Sequence, residues 1–244
     1  MTVFSYILIS SFLISLGALI GVFSLSVSKE FLKKIVFFLV SLSAGTLMGG
    51  AFLHLIPEAL ERLIPESVFG IVLISFSVFY LIEKVFHWRH CHEPECPVHT
   101  FGYMNLVGDS IHNFIDGLII AAAFLTDIPL GISTTIAIAM HEIPQEMGDF
   151  GVLIYSGFEK NKALLLNFLV ALTVILGAVL GYFLAAGVGP LKMYLLAFAA
   201  GGFLYISASD LIPEIRKEQS IRKSLISFGY FILGIGLMYW LKNI

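Results

Sequence analysis

The chain has 244 residues, of which 58% are hydrophobic and only 13% charged, and its mean hydropathy is +0.95. Soluble domains carry about 25% charged residues, so this composition excludes an ordinary soluble protein and indicates an integral membrane protein. The net charge of -3 says little about partners. We expect the lipid bilayer to surround the chain, and we expect no nucleic acid as a partner.

Apolar runs of about 20 residues predict membrane-spanning helices. Eight such runs occur, near residues 3–27, 33–58, 67–87, 103–126, 131–156, 163–186, 190–213 and 222–242. The predicted fold is therefore an all-α integral membrane protein, with one domain over 1–244 and eight transmembrane helices. The first run has no Lys or Arg before Lys29 and is longer than a typical signal-peptide core, so we predict a retained helix.

Positive charges are unevenly divided between the loops. The loops after predicted helices 1, 3, 5 and 7 hold eleven Lys or Arg residues, whereas the opposite side holds three, Arg62, Lys192 and Lys242. Cytoplasmic loops carry the excess of Lys and Arg. We therefore predict that both termini lie outside the cytoplasm, and the short loops suggest a prokaryotic plasma (inner) membrane.

An internal repeat is visible at an offset of 156 residues. The sequence Leu-Ile-Pro-Glu at 55–58 returns at 211–214, and Gly45 returns as Gly201. At the same offset the segment 12–16 matches 168–172, and Gly21 returns as Gly177. Helices 1 and 2 thus match helices 6 and 7, an odd number of crossings apart, so the copies have opposite orientation. Helices 3 and 8 show no match at this offset, although their position makes them the third pair. We predict a 3+2+3 arrangement with an inverted repeat, as in many secondary transporters.

Helices 4 and 5, between the repeats, carry polar clusters within apolar runs. Residues four apart on a helix share a face, which pairs His112 with Asp116 in helix 4, next to Asn113. An ionisable group near the membrane centre costs roughly 3 kcal/mol, so such groups face a bundle interior or a polar pathway. In helix 5 the same spacing pairs His141 with Gln145 and Glu142 with Glu146, and these four residues are predicted ligands.

Imidazole, carboxylate and amide groups together suit a borderline divalent cation such as Zn²⁺, with Fe²⁺ or Mn²⁺ as other candidates. The simpler alternatives are a proton relay and interhelical hydrogen bonds without an ion. Pro144 removes a backbone hydrogen bond within helix 5 and frees a carbonyl group near the cluster.

At these residues the sequence resembles the ZIP (Zrt/Irt-like) family of divalent metal transporters, in the branch with HNFxDG in helix 4 and HEIPHEMGDF in helix 5. The resemblance implies a binuclear metal centre halfway across the membrane. Its ligands would be His112, Asn113 and Asp116 from helix 4 and His141, Glu142 and position 145 from helix 5.

The same resemblance implies metal uptake into the cytoplasm by an elevator motion of helices 1, 4, 5 and 6 against helices 2, 3, 7 and 8, often in a homodimer. Zn²⁺ is the expected substrate, Fe²⁺, Mn²⁺ and Cd²⁺ are further candidates, and no organic cofactor is expected. Two positions depart from the family pattern. Gln145 stands where the branch usually has His, and Gly50 where many relatives have Asp.

Further metal candidates flank the two clusters. Asp109 lies one turn before Asn113 and is either a group on the ion's path or a support for a ligand. Asp149 continues the polar stripe of helix 5 by one turn. Asn167 is either a ligand from helix 6 or a contact between helices.

Two more candidate sites lie near the ends of the repeat helices. His54 and Glu58, at the outer end of helix 2, form an entrance site or are interfacial groups. Their counterparts in helix 7, Asp210 and Glu214, suggest an exit site, although a salt bridge with the nearby basic residues competes with that role.

The predicted cytoplasmic loop near 87–102 is rich in His and Cys. Thiolates and imidazoles are good zinc ligands, and the cytosol keeps thiols reduced. The loop is therefore either a metal-acquiring or sensing segment or an ordinary polar linker. Its candidate ligands are His87, His90, Cys91, His92, Cys96 and His99.

The leading hypothesis is transport of a divalent metal ion. The alternatives are an intramembrane metal-dependent hydrolase, which would use a metal-bound water, and a metal sensor. Gln145 breaks the H-E-x-x-H motif that would begin at His141, and Pro144 lies inside it. The inverted repeat has no evident use in an enzyme, so we predict that the protein is not one.

Overall fold

Eight helical rods make up the described part of the chain. The computed structural model describes residues 2–21, 28–88, 98–187 and 191–242, and no strand occurs among them. The rods are α1 (Val3–Ser15), α2 (Lys29–Gly49), α3 (Pro65–Trp88), α4 (Val98–Thr126), α5 (Ile128–Tyr155), α6 (Lys160–Ala171 with Thr173–Gly187), α7 (Leu191–Tyr205) and α8 (Ile221–Lys242). This confirms the predicted all-α fold and its eight helices.

By length and composition, six of the rods could cross a membrane, namely α2, α3, α4, α6, α7 and α8. The apolar helix over Val3–Leu19 is shorter. The rod α5 has 28 residues, about 42 Å at 1.5 Å per residue, but its interior carries three carboxylates. The apolar surface of α3 and α8 is largely exposed, as lipid-facing helices require.

The predicted repeat is confirmed by the local winding of the helices. Rod α2 continues through a π-helical turn over Gly50–Leu55 into Ile56–Leu60, and α7 continues through Ile206–Leu211 into Ile212–Arg216. All four segments keep the offset of 156 residues. A proline follows each π-helical turn, and because it cannot donate to the carbonyl group four residues earlier, the turn before it widens.

The third pair of the repeat is visible in the packing, although its sequence match was missed. A Cβ atom at Gly45 would collide with the carbonyl oxygen of Phe231 in α8, and one at Gly201 would collide with that of Val72 in α3. Phe231 follows Val72 by 159 residues, three more than the offset for the first two pairs. The copies thus use equivalent contacts between backbones, in the small-residue packing typical of membrane helices.

Close backbone packing also fixes α4 against α6. A Cβ atom at Gly117 would collide with the carbonyl oxygen of Val174, and one at Gly177 with that of Phe114. These contacts hold the segment of α4 that carries its polar cluster. On the other side of the cluster, the carbonyl group of Met140 in α5 accepts a hydrogen bond from the Ser43 hydroxyl in α2.

Candidate metal centre

Two imidazoles and two carboxylates meet at the interface between α4 and α5. The nearest ligand atoms of His112, Asp116, His141 and Glu142 all lie within 4.8 Å of one another. The side chains of Asp116, His141 and Glu142 are 3% exposed or less, and that of His112 is 14% exposed. The group is thus nearly closed, and His112 is its most accessible member.

Five of the six separations between these atoms are close to those of ligands around one zinc ion, and the group spans at most 4.8 Å. The His112 Nε2 atom lies 3.1 Å from His141 Nε2, 3.1 Å from Glu142 Oε1 and 3.8 Å from Asp116 Oδ2. The His141 Nε2 atom lies 3.3 Å from Asp116 Oδ2 and 3.4 Å from Glu142 Oε1. Ligands about 2.0–2.1 Å from a tetrahedral zinc ion lie about 3.3 Å apart.

Apart from the two imidazoles, three of the four carboxylate oxygens of this group have no partner. Asp116 Oδ2 and both oxygens of Glu142 are buried, and no other group of the described residues donates a hydrogen bond to them. A buried charge without a partner is costly. A divalent cation between the four residues would satisfy these oxygens, and His141 Nδ1, 3.2 Å from the Ala137 carbonyl oxygen, is placed to fix the ring for it.

Three other predicted ligands lie outside this group. The Gln145 amide donates a hydrogen bond of 3.2 Å to Asp109 Oδ1, and the Asn113 amide donates one of 2.9 Å to the same oxygen. Glu146 lies instead next to Asn167 of α6, whose amide donates to Glu146 Oε2 at 2.5 Å. The i,i+4 spacing correctly predicts that these residues lie near the centre. Their side chains, however, form amide–carboxylate hydrogen bonds with neighbouring residues and do not join the four-residue group. In this conformation Asp109 and Asn167 thus contact other polar residues, and neither joins the four-residue group.

A further polar pair extends the α4–α5 interface. The Asn105 amide donates a hydrogen bond of 2.8 Å to Asp149 Oδ1. Asn105 lies one turn before Asp109 on α4, as Asp149 lies one turn after Gln145 on α5. Sequence reasoning missed Asn105, although its spacing of four residues from Asp109 was a usable signal.

In the π-helical turn that continues α2, protein groups contact the His54 ring. Its Nε2 atom lies 2.8 Å from the Met238 carbonyl oxygen, and its Nδ1 atom lies 3.2 Å from Ser133 Oγ. Glu58 lies one turn further and is half-buried. Near them, Gly50 faces Ala137, since a Cβ atom on Gly50 would lie 3.6 Å from the Ala137 side chain.

At the opposite end of the repeat, Asp210 and Glu214 are exposed, and Glu214 forms a salt bridge with Lys217. This is the salt bridge that competes with an exit role for Glu214. The candidates of the His- and Cys-rich loop lie outside the described residues, either entirely or with their side chains. They are His87, His90, Cys91, His92, Cys96 and His99.

Comparison with known proteins identifies the family of the chain. The family model described as "ZIP Zinc transporter" matches residues 2–100 and 88–242. Zinc transporter ZIP13 of Pongo abelii is 34% identical over 217 residues, covering 82% of this chain and 65% of that protein. Zinc transporter zipt-7.2 of Caenorhabditis elegans is 38% identical over 149 residues, covering 59% of this chain and 32% of that protein.

A third relative, zinc transporter ZIP6 of Homo sapiens, is 36% identical over 148 residues, covering 58% of this chain and 20% of that protein. The chain therefore spans less than two thirds of the length of these relatives. The family model nevertheless covers almost the whole chain, including the two polar clusters and both halves of the repeat. The chain belongs to the ZIP family of zinc transporters.

Proposed function

We propose that this protein transports a divalent metal ion, in the first place Zn²⁺, through the site formed by His112, Asp116, His141 and Glu142. The observation that carries the proposal is the convergence of two imidazole nitrogens and two carboxylate oxygens inside a membrane protein. Two carboxylates balance the charge of one divalent ion. Imidazole ligands favour zinc over harder cations, and Fe²⁺, Mn²⁺ and Cd²⁺ are further candidate substrates.

The arrangement of contacts supports an elevator motion. Rods α4 and α6 are joined by backbone contacts at glycines, as are α2 with α8 and α3 with α7. In contrast, α5 meets α2 and its π-helical continuation through side-chain hydrogen bonds, one from Ser43 to the Met140 carbonyl group and one between Ser133 and the His54 ring. Side-chain contacts exchange more easily than close-packed backbones. The unit that carries the ion would therefore slide along α2 and α7.

The direction of transport follows from the proposed orientation. The excess of Lys and Arg after helices 1, 3, 5 and 7 favours a cytoplasmic position for those loops, so both termini would lie outside. The inward movement of the ion is what the resemblance to the ZIP family implies. We retain the prokaryotic plasma (inner) membrane as the proposed location and a homodimer as the proposed assembly. The His- and Cys-rich loop would then face the cytoplasm as a metal-acquiring or sensing segment.

Further ligands belong to the same proposal. Asn113 and Gln145 would bind a second ion if their side chains turned toward the centre, as the binuclear pattern of the family implies, and Glu146 and Asn167 are additional candidate ligands. His54 and Glu58 would attract the ion at the outer entrance, and Asp210 would do so at the exit. A hydrolase or a sensor remains the alternative, but membership in a family of transporters favours transport.

The test is uptake of radioactive ⁶⁵Zn²⁺ into proteoliposomes. The Glu142→Gln variant keeps the size of the ligand but loses its charge, and the matched control is Glu66→Gln, in the exposed first turn of α3. We expect the first variant to lower uptake by about 100-fold, since even outer partners of a metal site cost 10–100-fold. The control should take up zinc like the native protein. A folded native protein that moves none of the four metals would overturn the proposal.

A further inference from the structure

The α4–α5 interface stays polar beyond the four-residue centre, on the side of Val98 and Tyr155. Asp109 lies three residues from His112, about 4.5 Å along α4, and Asp149 lies seven residues from Glu142, about 10 Å along α5. The two carboxylates therefore occupy successive levels between the centre and one end of both helices.

Each of these carboxylates is held by amide groups at one oxygen only. Asn113 and Gln145 donate to Asp109 Oδ1, and Asn105 donates to Asp149 Oδ1. The second oxygen of each, Oδ2, is buried and has no hydrogen-bond partner among the described residues. Asp109 is only 5% exposed. The amides orient both carboxylates and leave one anionic oxygen of each without a partner.

The chemistry of this pair differs from that of the centre. The centre offers two imidazole nitrogens, whereas Asp109 and Asp149 offer oxygens, which bind zinc less well than nitrogen does and suit hard cations better. An ion that must leave a site needs further sites of weaker binding along its way. A step from nitrogen and oxygen ligands to oxygen ligands meets this requirement.

We propose that Asp109 and Asp149 form a second, oxygen-only binding site for the divalent ion, which receives it from the centre during release. The proposal rests on the proposed function for its direction, since the Val98 and Tyr155 ends lie in the cytoplasm in the orientation given above. The site takes a partly hydrated ion, with the free Oδ2 atoms as ligands and water completing the coordination.

The competing explanation is structural: the two carboxylates accept hydrogen bonds that join α4 to α5. The variants Asp149→Asn and Asn105→Ala separate the two roles. Asp149→Asn removes the charge and keeps an oxygen that can accept from Asn105, whereas Asn105→Ala removes the hydrogen bond and keeps the charge. The ⁶⁵Zn²⁺ uptake rate and the equilibrium Zn²⁺ affinity of the purified protein are measured for both.

We expect Asp149→Asn to lower the maximal uptake rate by about tenfold or more while the equilibrium affinity of the centre stays within about threefold, by analogy with groups that support a metal site. Asn105→Ala should keep most of the uptake rate. Equal losses in the two variants would overturn the proposal in favour of a structural role. Unchanged uptake in Asp149→Asn, or complete loss of Zn²⁺ binding in it, would also overturn it.

A second measurement separates this proposal from the function on which it rests. In a background of His112→Ala, His141→Ala and Glu142→Gln the centre keeps only one charged ligand, and we expect Zn²⁺ to bind with low affinity at the remaining oxygen site. Adding Asp109→Asn and Asp149→Asn should abolish that binding, as measured by equilibrium dialysis. If the variants bind Zn²⁺ as expected but the native protein takes up no zinc, the proposed transport is refuted and the oxygen-only site is retained. Uptake without any such residual binding would refute the second site alone.

Discussion

At the scale of residues, the centre is defined by charge as much as by geometry. Asp116 and Glu142 supply two negative charges, and the two imidazoles bind a metal ion as neutral ligands. Around one divalent ion the sum of charges is zero, which is the arrangement least costly in a medium of low dielectric constant. Removal of one carboxylate charge would leave a net positive site in the interior of a membrane protein.

We therefore expect Asp116→Asn to lower the Zn²⁺ affinity by on the order of 100-fold, since a lost ligand costs at least as much as a lost supporting group. Isothermal titration calorimetry on purified protein measures the change. Asp127→Asn is the matched control, because Asp127 is exposed and its side chain forms no cap hydrogen bond at the start of α5. An Asp116→Asn protein with native affinity would contradict the assigned ligand.

For Gln145 we expect a much smaller effect than for Asp116. Its amide contacts Asp109 and lies outside the four-residue group, so Gln145→Ala should change the Zn²⁺ affinity of the centre by less than about tenfold, the lower end for supporting groups. The same titration measures it. A loss as large as that of Asp116→Asn would mean that Gln145 turns inward and ligates the ion when it binds.

The residues of the centre could be predicted from the sequence because spacing on a helix and ligand chemistry point the same way. His112 and Asp116 share a face of α4, whereas His141 and Glu142 are adjacent on α5 and could be predicted from their ligand chemistry within one short polar segment. The orientation of Gln145 could not be predicted, because it depends on a carboxylate of another helix. Spacing along one helix says which residues share a face and is silent about which neighbour each side chain meets across the interface.

At the scale of helices, glycines that receive a neighbouring carbonyl group hold the packing together. Gly45 faces the Phe231 carbonyl oxygen, whereas Gly70 in α3 has no heavy atom near its missing Cβ. We expect Gly45→Ala to destabilise the protein by about 1–3 kcal/mol through overpacking. Gly70→Ala should be neutral or stabilising by up to about 1 kcal/mol, because alanine favours the helix.

Thermal unfolding in detergent, followed by circular dichroism, measures the difference between these two variants. The Gly45→Ala protein should unfold at a lower temperature than the native one, and the Gly70→Ala protein should not. Equal behaviour of the two would show that the close approach of α2 and α8 is not needed for stability.

A second prediction at this scale concerns the proline of α5. Pro144 has no N–H group for the Met140 carbonyl oxygen, and the Ser43 hydroxyl donates to that oxygen instead. Ser43→Ala should cost about 1–3 kcal/mol by leaving a buried acceptor without a partner. In a Pro144→Ala background the restored N–H group replaces the lost hydroxyl, so the same change should cost clearly less.

This double-mutant cycle is measured by the same unfolding experiment, and the non-additive part is the coupling between the two residues. Additive effects of the two changes would contradict the compensation. The sequence alone placed the freed carbonyl group near the cluster, because a proline always removes the hydrogen bond to the residue four positions earlier. It could not name Ser43, which lies about a hundred positions earlier in another helix.

At the scale of the whole molecule, the repeat and the charge distribution fix the architecture. The first two pairs of the repeat could be read from the sequence because prolines and glycines at one offset leave a recognisable pattern. The third pair could not, since α3 and α8 differ in offset by three residues and place backbone carbonyl groups against the glycines of their partners. Such contacts require a small residue in α2 and α7 but no particular side chain at the facing position in α8 and α3, so the sequences of α3 and α8 carry no recognisable match.

The proposed orientation predicts which loops can be reached from outside the cell. In a background of Cys91→Ser and Cys96→Ser, we introduce Glu61→Cys after α2 or Glu159→Cys before α6, both at exposed positions. A membrane-impermeant maleimide should label the first in intact cells and the second only after permeabilisation, because the Lys-rich loop faces the cytoplasm. The opposite labelling pattern would reverse the orientation and with it the direction of release.

The most direct test of the central account asks whether the nature of the ligands decides which ion is transported. In proteoliposomes, Mn²⁺ competes with ⁶⁵Zn²⁺ uptake by the native protein and by His112→Asn, which replaces an imidazole nitrogen by an amide group. For each protein we compare the concentrations of Mn²⁺ and of unlabelled Zn²⁺ that halve ⁶⁵Zn²⁺ uptake. If the four residues hold the transported ion, the ratio of the Mn²⁺ concentration to the Zn²⁺ concentration should be about tenfold lower in the variant, because oxygen ligands favour the harder ion. An unchanged ratio of Mn²⁺ to Zn²⁺ inhibition, in a variant that still takes up zinc, would contradict the account and place the transported ion elsewhere.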